Sequence, residues 1–305
     1  MRTNGARRER SESLAHGWRG AILFALIALL VVAGCGGQSA TTAPTPSAQP
    51  SPTATATPTP TATSTPSPTP TPRPAPTATP KPTATPIPSA CIPAPGIKPV
   101  STTVIRSVAT SQQWVSLTFD SDGGSAGNAA RYLDILSARH VTTTWFLTGD
   151  FARANPSVVQ RIAREGHDVG NHTNDHADLI SPPRSDSFIC QELTRANSAI
   201  SALTGHTTRP YFRPPYGDYN WQARTLAARL GYRTIYWSID PRDWDPATTA
   251  DDIVSRVLNA SSLRPGAIIL MHVNSPHEAE ALDRVIAGLE QRGYTIVPLS
   301  QLLNG

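Results

Sequence analysis

Two histidines stand four residues apart in the stretch Gly170-Asn171-His172-Thr173-Asn174-Asp175-His176. Four residues make about one helical turn, so imidazoles at i and i+4 can point at one metal ion from the same face of a helix or turn. A divalent ion also wants a carboxylate. The best supplier lies upstream, where the β-patterned run Val115-Ser116-Leu117-Thr118-Phe119 ends in Asp120-Ser121-Asp122-Gly123. Downstream come Arg213-Pro214-Pro215-Tyr216-Gly217, Asp240-Pro241-Arg242-Asp243-Trp244 and Leu270-Met271-His272. Singly, each has a plainer reading: loop histidines, a rigid Pro-Pro turn, an Asp-Trp loop contact, a satisfied core histidine. Their company gives the histidine pair weight, because a metal-assisted hydrolase needs ligands, a base and an acid together.

The elements that must position these groups alternate between strand and helix patterns. Residues 115–119 read as a strand, 128–139 as a helix and 143–147 as a strand. Asn155-Pro156 gives an N-cap followed by proline at the first helical position, and Gly166 stops that helix. A short strand over 167–170 and a long helix over 186–203, ended by Gly205, follow. Residues 211–213 are strand-like, Asn220 caps a helix that stops at Gly231, and 233–239 is a β-branched and aromatic strand. Thr249-Ala250-Asp251-Asp252 has the form of a capping box for a helix through Leu258. Residues 267–271 form a buried strand, 278–292 a helix and 294–297 the last strand.

That order predicts parallel strands wrapped by helices. Each polar cluster falls just past a strand's C-terminal end, where a β/α barrel gathers its active site. The expected fold is therefore α/β, an irregular (β/α) barrel of about seven parallel strands.

The chain ahead of it has a different character. Arg2, Arg7, Arg8, Arg10 and Arg19 form a basic region before an apolar run that ends in Val32-Ala33-Gly34-Cys35, so residues 1–34 read as a secretory signal. The cysteine after Gly34 looks like the lipidation site of a bacterial lipoprotein, and an uncleaved membrane helix is the alternative. Either way the remainder faces outward, extracytoplasmic and anchored at the membrane. Residues 35–90 are mostly Thr, Pro, Ala and Ser and hold over half of the 30 prolines. Such a segment cannot bury a core, and is expected to be a disordered linker in polyproline II. At roughly 3.1 Å per residue it would reach on the order of 100 Å. Its hydroxyls suit O-linked sugars.

The formal charge of the chain is +4, and the five leader arginines against Glu9 and Glu12 account for +3 of it, leaving +1. No basic stripe with interleaved aromatics is present, so a nucleic-acid partner is not expected. With Cys35 assigned to lipid, Cys91 and Cys190 are the two cysteines left of three, and in an oxidising exterior they most simply pair. No heptad or repeat asks for more than a monomer. Residues 91–305 suit a single domain with a full core.

The five clusters, Thr118-Phe119-Asp120, the histidine stretch, Arg213 to Gly217, Asp240 to Trp244 and Leu270 to His272, resemble in order the five motifs of the polysaccharide deacetylases, the carbohydrate esterase family 4 enzymes with a NodB homology domain. The resemblance covers about 114–299. It implies a deformed β/α barrel, a divalent metal on an Asp-His-His triad and hydrolysis of N-acetyl or O-acetyl groups on a surface polysaccharide. By this resemblance His172, His176 and Asp122 would hold the metal, and Asp120 would take the proton from water. Arg213 would hold that carboxylate, and the Tyr216 backbone N–H would help bind the oxyanion. His272 would protonate the leaving amine, oriented by Asp243, and Tyr216, Trp244 and Leu270 would wall the acetyl pocket. Zinc is the first expectation, although the ligand types suit Co, Ni and Mn as well.

One departure matters. The usual first motif carries adjacent aspartates, whereas Ser121 here separates Asp120 from Asp122. An extra residue at a strand end can turn a side chain to the other face. Either the loop bulges at Gly123-Gly124 and Asp122 still reaches the metal, or the metal rests on the two histidines with water. The expected activity is deacetylation of a cell-envelope glycan, peptidoglycan foremost, with chitin-type oligosaccharides and acetylated xylan within the same chemistry. The rivals are a surface glycan-binding protein without turnover, and a metal-dependent amidase on a non-sugar substrate.

Overall fold

A computed structural model describes residues 87–305. The leader, Cys35 and nearly all of the Pro/Thr-rich linker lie outside the described residues. Seven parallel strands run through the domain: β1 (Trp114–Asp120), β2 (Thr144–Leu147), β3 (Asp168–Asn171), β4 (Tyr211–Phe212), β5 (Arg233–Thr234), β6 (Ile268–His272) and β7 (Thr295–Ile296). Their order is β5-β4-β3-β2-β1-β6, and β7 pairs with the start of β1. The seven parallel strands and the α/β class agree with the sequence expectation.

The sheet is a half-barrel, bridged between its ends by single pairs of residues. The run after β5 carries that bridge. Ile235 pairs with Ile105, and four residues later Ile239 pairs with Ile269 of β6. The segment thus leaves β4 at one end and reaches β6 at its other. This corrects the expected strand over 233–239: only two of its residues form a ladder, because the backbone changes partners along the way.

Among the described residues the α-helices are α1 (Ala129–Ala138), α2 (Gly149–Ala154), α3 (Pro156–Arg164), α4 (Asp186–Thr204), α5 (Trp221–Arg229), α6 (Ala250–Leu258), α7 (Glu278–Gln291) and α8 (Leu299–Leu302). Local chemistry sets their ends. The Ser185 hydroxyl accepts from the Phe188 N–H at the start of α4, and Gly205 closes it at φ 73°, a left-handed position. Asn220 caps α5, and Thr249 with Asp252 forms a complete capping box on α6. Pro156 begins α3, but the Asn155 side chain donates to the Gly124 and Phe151 carbonyls and caps nothing. Helix α2 has no counterpart in the sequence reading. It is six residues long and rests on the Thr148 hydroxyl, which accepts from the Phe151 N–H.

Strand β1 is buried along nearly its whole length because helices cover one face and barrel side chains the other. Phe119 stacks on Trp145 of β2 at 4.7 Å. Cys91 and Cys190 are joined in a disulfide with Cα atoms 5.2 Å apart. The bond ties the start of the domain to α4.

Candidate active site

All seven strands point one way, so the residues that end them come together. The register is specific: Asp120, the last residue of β1, sits directly opposite His272, the last residue of β6. Asn171 pairs with Phe212, which sets His172 beside Arg213 one residue further on. The chain then opens into loops around a cavity of about 440 Å³ lined by Asp120, Asp122, His172, His176, Tyr216, Trp237, Asp240, Trp244, Leu270 and His272, among others.

The histidine pair lies on a loop, not a helix. Thr173 (φ 67°) and His176 (φ 60°) adopt left-handed backbone, and the two rings lie 5.0 Å apart. That conformation is held from beneath. The buried Glu192 of α4 accepts from the backbone N–H of Asn174 (2.9 Å) and Asp175 (3.2 Å). The Asn171 side chain accepts from the Thr173 N–H and donates to the Leu193 carbonyl. Glu192 escaped sequence reading, since nothing in a helical pattern marks a glutamate that turns inward to a loop.

Arg213 is fully buried. Its Nη1 donates to Asp120 Oδ1 (2.7 Å) and Thr118 Oγ1 (2.9 Å), and its Nη2 donates to the Tyr236 carbonyl (3.1 Å). The guanidinium packs over Phe146 at 4.2 Å and beside Trp237 at 5.6 Å. Burial raises the pKa of Asp120 above the ordinary carboxylate value, and Arg213 works against that rise.

On the other side, Asp243 is fully buried and receives two hydrogen bonds from His272. The His272 backbone N–H donates to Oδ2 (2.7 Å) and Nδ1 donates to Oδ1 (2.8 Å). Burial alone would lower the pKa of His272. The hydrogen bond and charge of Asp243, with Asp120 and Asp240 beyond, outweigh it and raise the value. The imidazole is thus oriented with Nε2 as its free end and favoured in its charged form. Tyr132 adds a contact to the His272 carbonyl (3.3 Å).

A divalent ion here would require unprotonated donors, and the histidines meet that condition. Burial lowers His172 to about 3 and His176 to about 4. His172 Nδ1 donates to the Arg213 carbonyl at 2.7 Å, which leaves Nε2 as a lone-pair donor 3.6 Å from Asp120 Oδ2. The carboxylates are engaged elsewhere. Asp122 lines the cavity, but its Oδ1 accepts from the Gly123 N–H (2.7 Å) and from the Asn274 amide. Among the described residues no three His, Cys, Asp or Glu side chains converge as ligands. The donor set fits an ion held by two imidazoles, with its remaining positions open to water.

The strand end absorbs the inserted residue of the first motif. Ser121 continues β1: its N–H donates to the Phe146 carbonyl (3.0 Å) and its hydroxyl accepts from the Thr148 N–H (3.0 Å). Asp122 then reaches the cavity wall with its carboxylate on Asn274. Tyr216 stands at φ 60° with its ring 4.7 Å from that of His176 and is 65 % exposed. Trp244 and Leu270 both line the cavity, joined by Trp237 from the β-patterned run 233–239. His167 lies apart, accepting at Nδ1 from the Thr143 N–H beneath Trp145.

The profile of the family described as polysaccharide deacetylase matches residues 107–235. The peptidoglycan-N-acetylmuramic acid deacetylase PdaA of Bacillus subtilis is 34 % identical over 194 residues, covering 64 % of this chain and 73 % of that protein. A chitooligosaccharide deacetylase of Sinorhizobium fredii is 35 % identical over 200 residues, covering 61 % and 90 %. Among solved structures, a CE4 family pseudoenzyme from Bacillus anthracis superposes with a TM-score of 0.61 at 30 % identity, covering 67 % of this chain and 70 % of that one. Identity at this level across most of each relative's length, on the same parallel half-barrel, makes the chain a member of the polysaccharide deacetylase family.

Proposed function

We propose that this protein is a metal-dependent deacetylase that removes N-acetyl groups from a cell-envelope glycan, peptidoglycan foremost. The observation that carries the reading is the pairing of Asp120 with His272 across β1 and β6. A carboxylate held by a buried guanidinium and an imidazole held by a buried carboxylate face one cavity, as amide hydrolysis requires.

His172 and His176 would hold a divalent ion, with zinc first and Co, Ni and Mn suited by the same donors. Bound there, such an ion would polarise the acetamide carbonyl and acidify water. Asp120 takes the water proton on Oδ2, since Oδ1 is committed to Arg213. The Tyr216 N–H serves the developing oxyanion. His272 delivers a proton from Nε2 to the leaving amine while Asp243 keeps Nδ1 protonated. Trp244 and Leu270 enclose the acetyl methyl group.

The choice of glycan is supported by the peptidoglycan deacetylase among the relatives and by the tether. A lipid on Cys35 and a linker over residues 35–90 would hold a monomeric domain outside the membrane, within reach of the wall. Chitooligosaccharide is the alternative substrate, supported by the second relative. A non-catalytic glycan-binding protein is the second reading, favoured by the engagement of Asp122 with Asn274 and by the pseudoenzyme likeness. Acetate release from peptidoglycan by the full chain, with and without a chelator, separates them. Release that stops with chelator and with Asp120→Asn supports the enzyme. A folded chain that binds peptidoglycan but releases no acetate with Zn, Co, Ni or Mn leaves the binding reading.

A further inference from the structure

Three large aromatic side chains are exposed among the described residues: Tyr216 (65 %), Trp244 (51 %) and Trp221 (65 %). The first two line the cavity. Trp221 does not, and neither core packing nor the start of α5 explains an exposed indole at its first position.

Contacts connect Trp221 to the cavity without a break. Trp237 on the cavity wall stacks on Tyr236, with centroids 3.9 Å apart and planes at 7°. Gly217 lies against both rings, where a Cβ would come within 2.6–2.9 Å, so this position must lack a side chain. Tyr236 meets Tyr219 at 5.8 Å. Arg106 covers Tyr236 at 4.0 Å and donates to the Tyr219 hydroxyl at 2.9 Å. Arg224 then sits 5.5 Å from Tyr219 and 5.6 Å from Trp221.

We infer that this band, from Trp237 through Tyr236 and Tyr219 to Trp221, is a binding track for the glycan chain beyond the reacting sugar, and that Arg106 and Arg224 recognise carboxylates on that chain. The inference rests on the deacetylase reading for its starting point at the cavity. Pyranose rings present apolar C–H faces and polar edges, which suits the exposed indole of Trp221 at the far end, while Tyr236, covered by Trp237 on one face and Arg106 on the other, supports the band and offers only its edge. The guanidiniums add the sign of the charge. Among the described residues neither Arg106 nor Arg224 forms an ion pair, although Asp218 lies in the same stretch. Arg224 is anchored through the Thr102 carbonyl. An N-acetylated strand with lactyl carboxylates fits such a surface better than a neutral one.

The test uses the full chain and calorimetric binding alongside acetate release. The probes are two- and six-sugar N-acetylglucosamine oligomers, and muramic acid strands of matched length freed of peptide. In Trp221→Ala, the affinity gained between two and six sugars should shrink about five- to tenfold. Arg106→Gln should weaken the muramic acid strand about fivefold more than the neutral oligomer, with the difference lost at high salt. Arg195→Gln, on α4, controls for the loss of one positive charge. An unchanged length dependence in Trp221→Ala overturns the track, and equal behaviour of Arg106→Gln and Arg195→Gln overturns its preference for acidic strands. If wild type releases no acetate yet binds strands in a way that Trp221→Ala weakens, the track stands and the deacetylase reading falls. If wild type releases acetate and the variants keep its length dependence, the deacetylase reading stands and the track falls.

Discussion

Arg213 and Asp120 form an ion pair of 2.7 Å in which the arginine is fully buried and the aspartate 4 % exposed. Neither charge can be left alone there. Removing one partner of such a pair costs about 3–5 kcal/mol, because the remaining charge stays desolvated. Arg213→Met should lower unfolding stability by about that amount in urea titrations. The Asp120 carboxyl would then rise further and serve less well as a base near neutral pH. Arg213→Lys keeps the charge but loses the fork that reaches Thr118, Asp120 and the Tyr236 carbonyl at once. It should fall between wild type and Arg213→Met in both stability and turnover.

In the proposed reaction the His272–Asp243 pair would set the alkaline side of the pH profile. A general acid must carry its proton, so activity should fall as pH rises through the raised pKa of His272. Asp243→Asn removes the largest contribution that raises it, and the alkaline limb should then move to lower pH. Turnover should drop as well, since general acid catalysis contributes about 10²- to 10⁴-fold. Rates of acetate release across pH for the two proteins check this, and an unmoved limb would assign the acid to another group.

Asn274 competes for the carboxylate that the first motif would offer to a metal. Asn274→Ala releases Asp122 Oδ1 from its amide partner. If Asp122 can then join His172 and His176 as a third donor, divalent ions should bind more tightly, by about tenfold or more, since a carboxylate completes the common two-histidine set. Calorimetry with Zn²⁺ and the visible spectrum of the Co²⁺ form both report this without turnover. Asp122→Asn should leave the affinity of the wild-type chain nearly unchanged, because in the wild type Asp122 is already held by Asn274.

The sequence was most readable where local rules decide. The alternation of strand and helix, the caps at Asn220 and Thr249 and the halt of α4 at Gly205 all depend on a few neighbouring residues. The strand-end position of Asp120, His172, Arg213 and His272 follows once the strands are known to be parallel. Long-range relationships were not readable in that way. Asn274 lies 152 residues from Asp122, and no pattern near either one announces the hydrogen bond. The segment from Arg233 to Ile239 has strand composition throughout, yet its partners are Phe212 of β4, Ile105 and Ile269 in succession. Hydrophobic pattern reports that such a run is buried, but says nothing of whether one neighbour accompanies it. Helix α2 was missed because six residues carry too little periodicity to register.

Glu278, at the start of α7, supplies a prediction about stability. Its side chain is fully buried, and neither carboxyl oxygen has a hydrogen-bond partner. Desolvation pushes its pKa well above the ordinary value of 4.5, and the nearby charge of Asp243 pushes in the same direction. The folded chain therefore keeps a proton here that the unfolded chain gives up. Below pH 4.5 both states hold it and there is no penalty. As pH rises above that value only the unfolded state ionises, so folding loses about 1.4 kcal/mol per pH unit until the folded carboxyl also titrates. Glu278→Met, close in volume and uncharged, should abolish this slope. Its advantage over wild type in urea unfolding should be small at pH 4.5 and widen through pH 7. A difference that stays constant across that range would mean that Glu278 is ionised and satisfied within the fold.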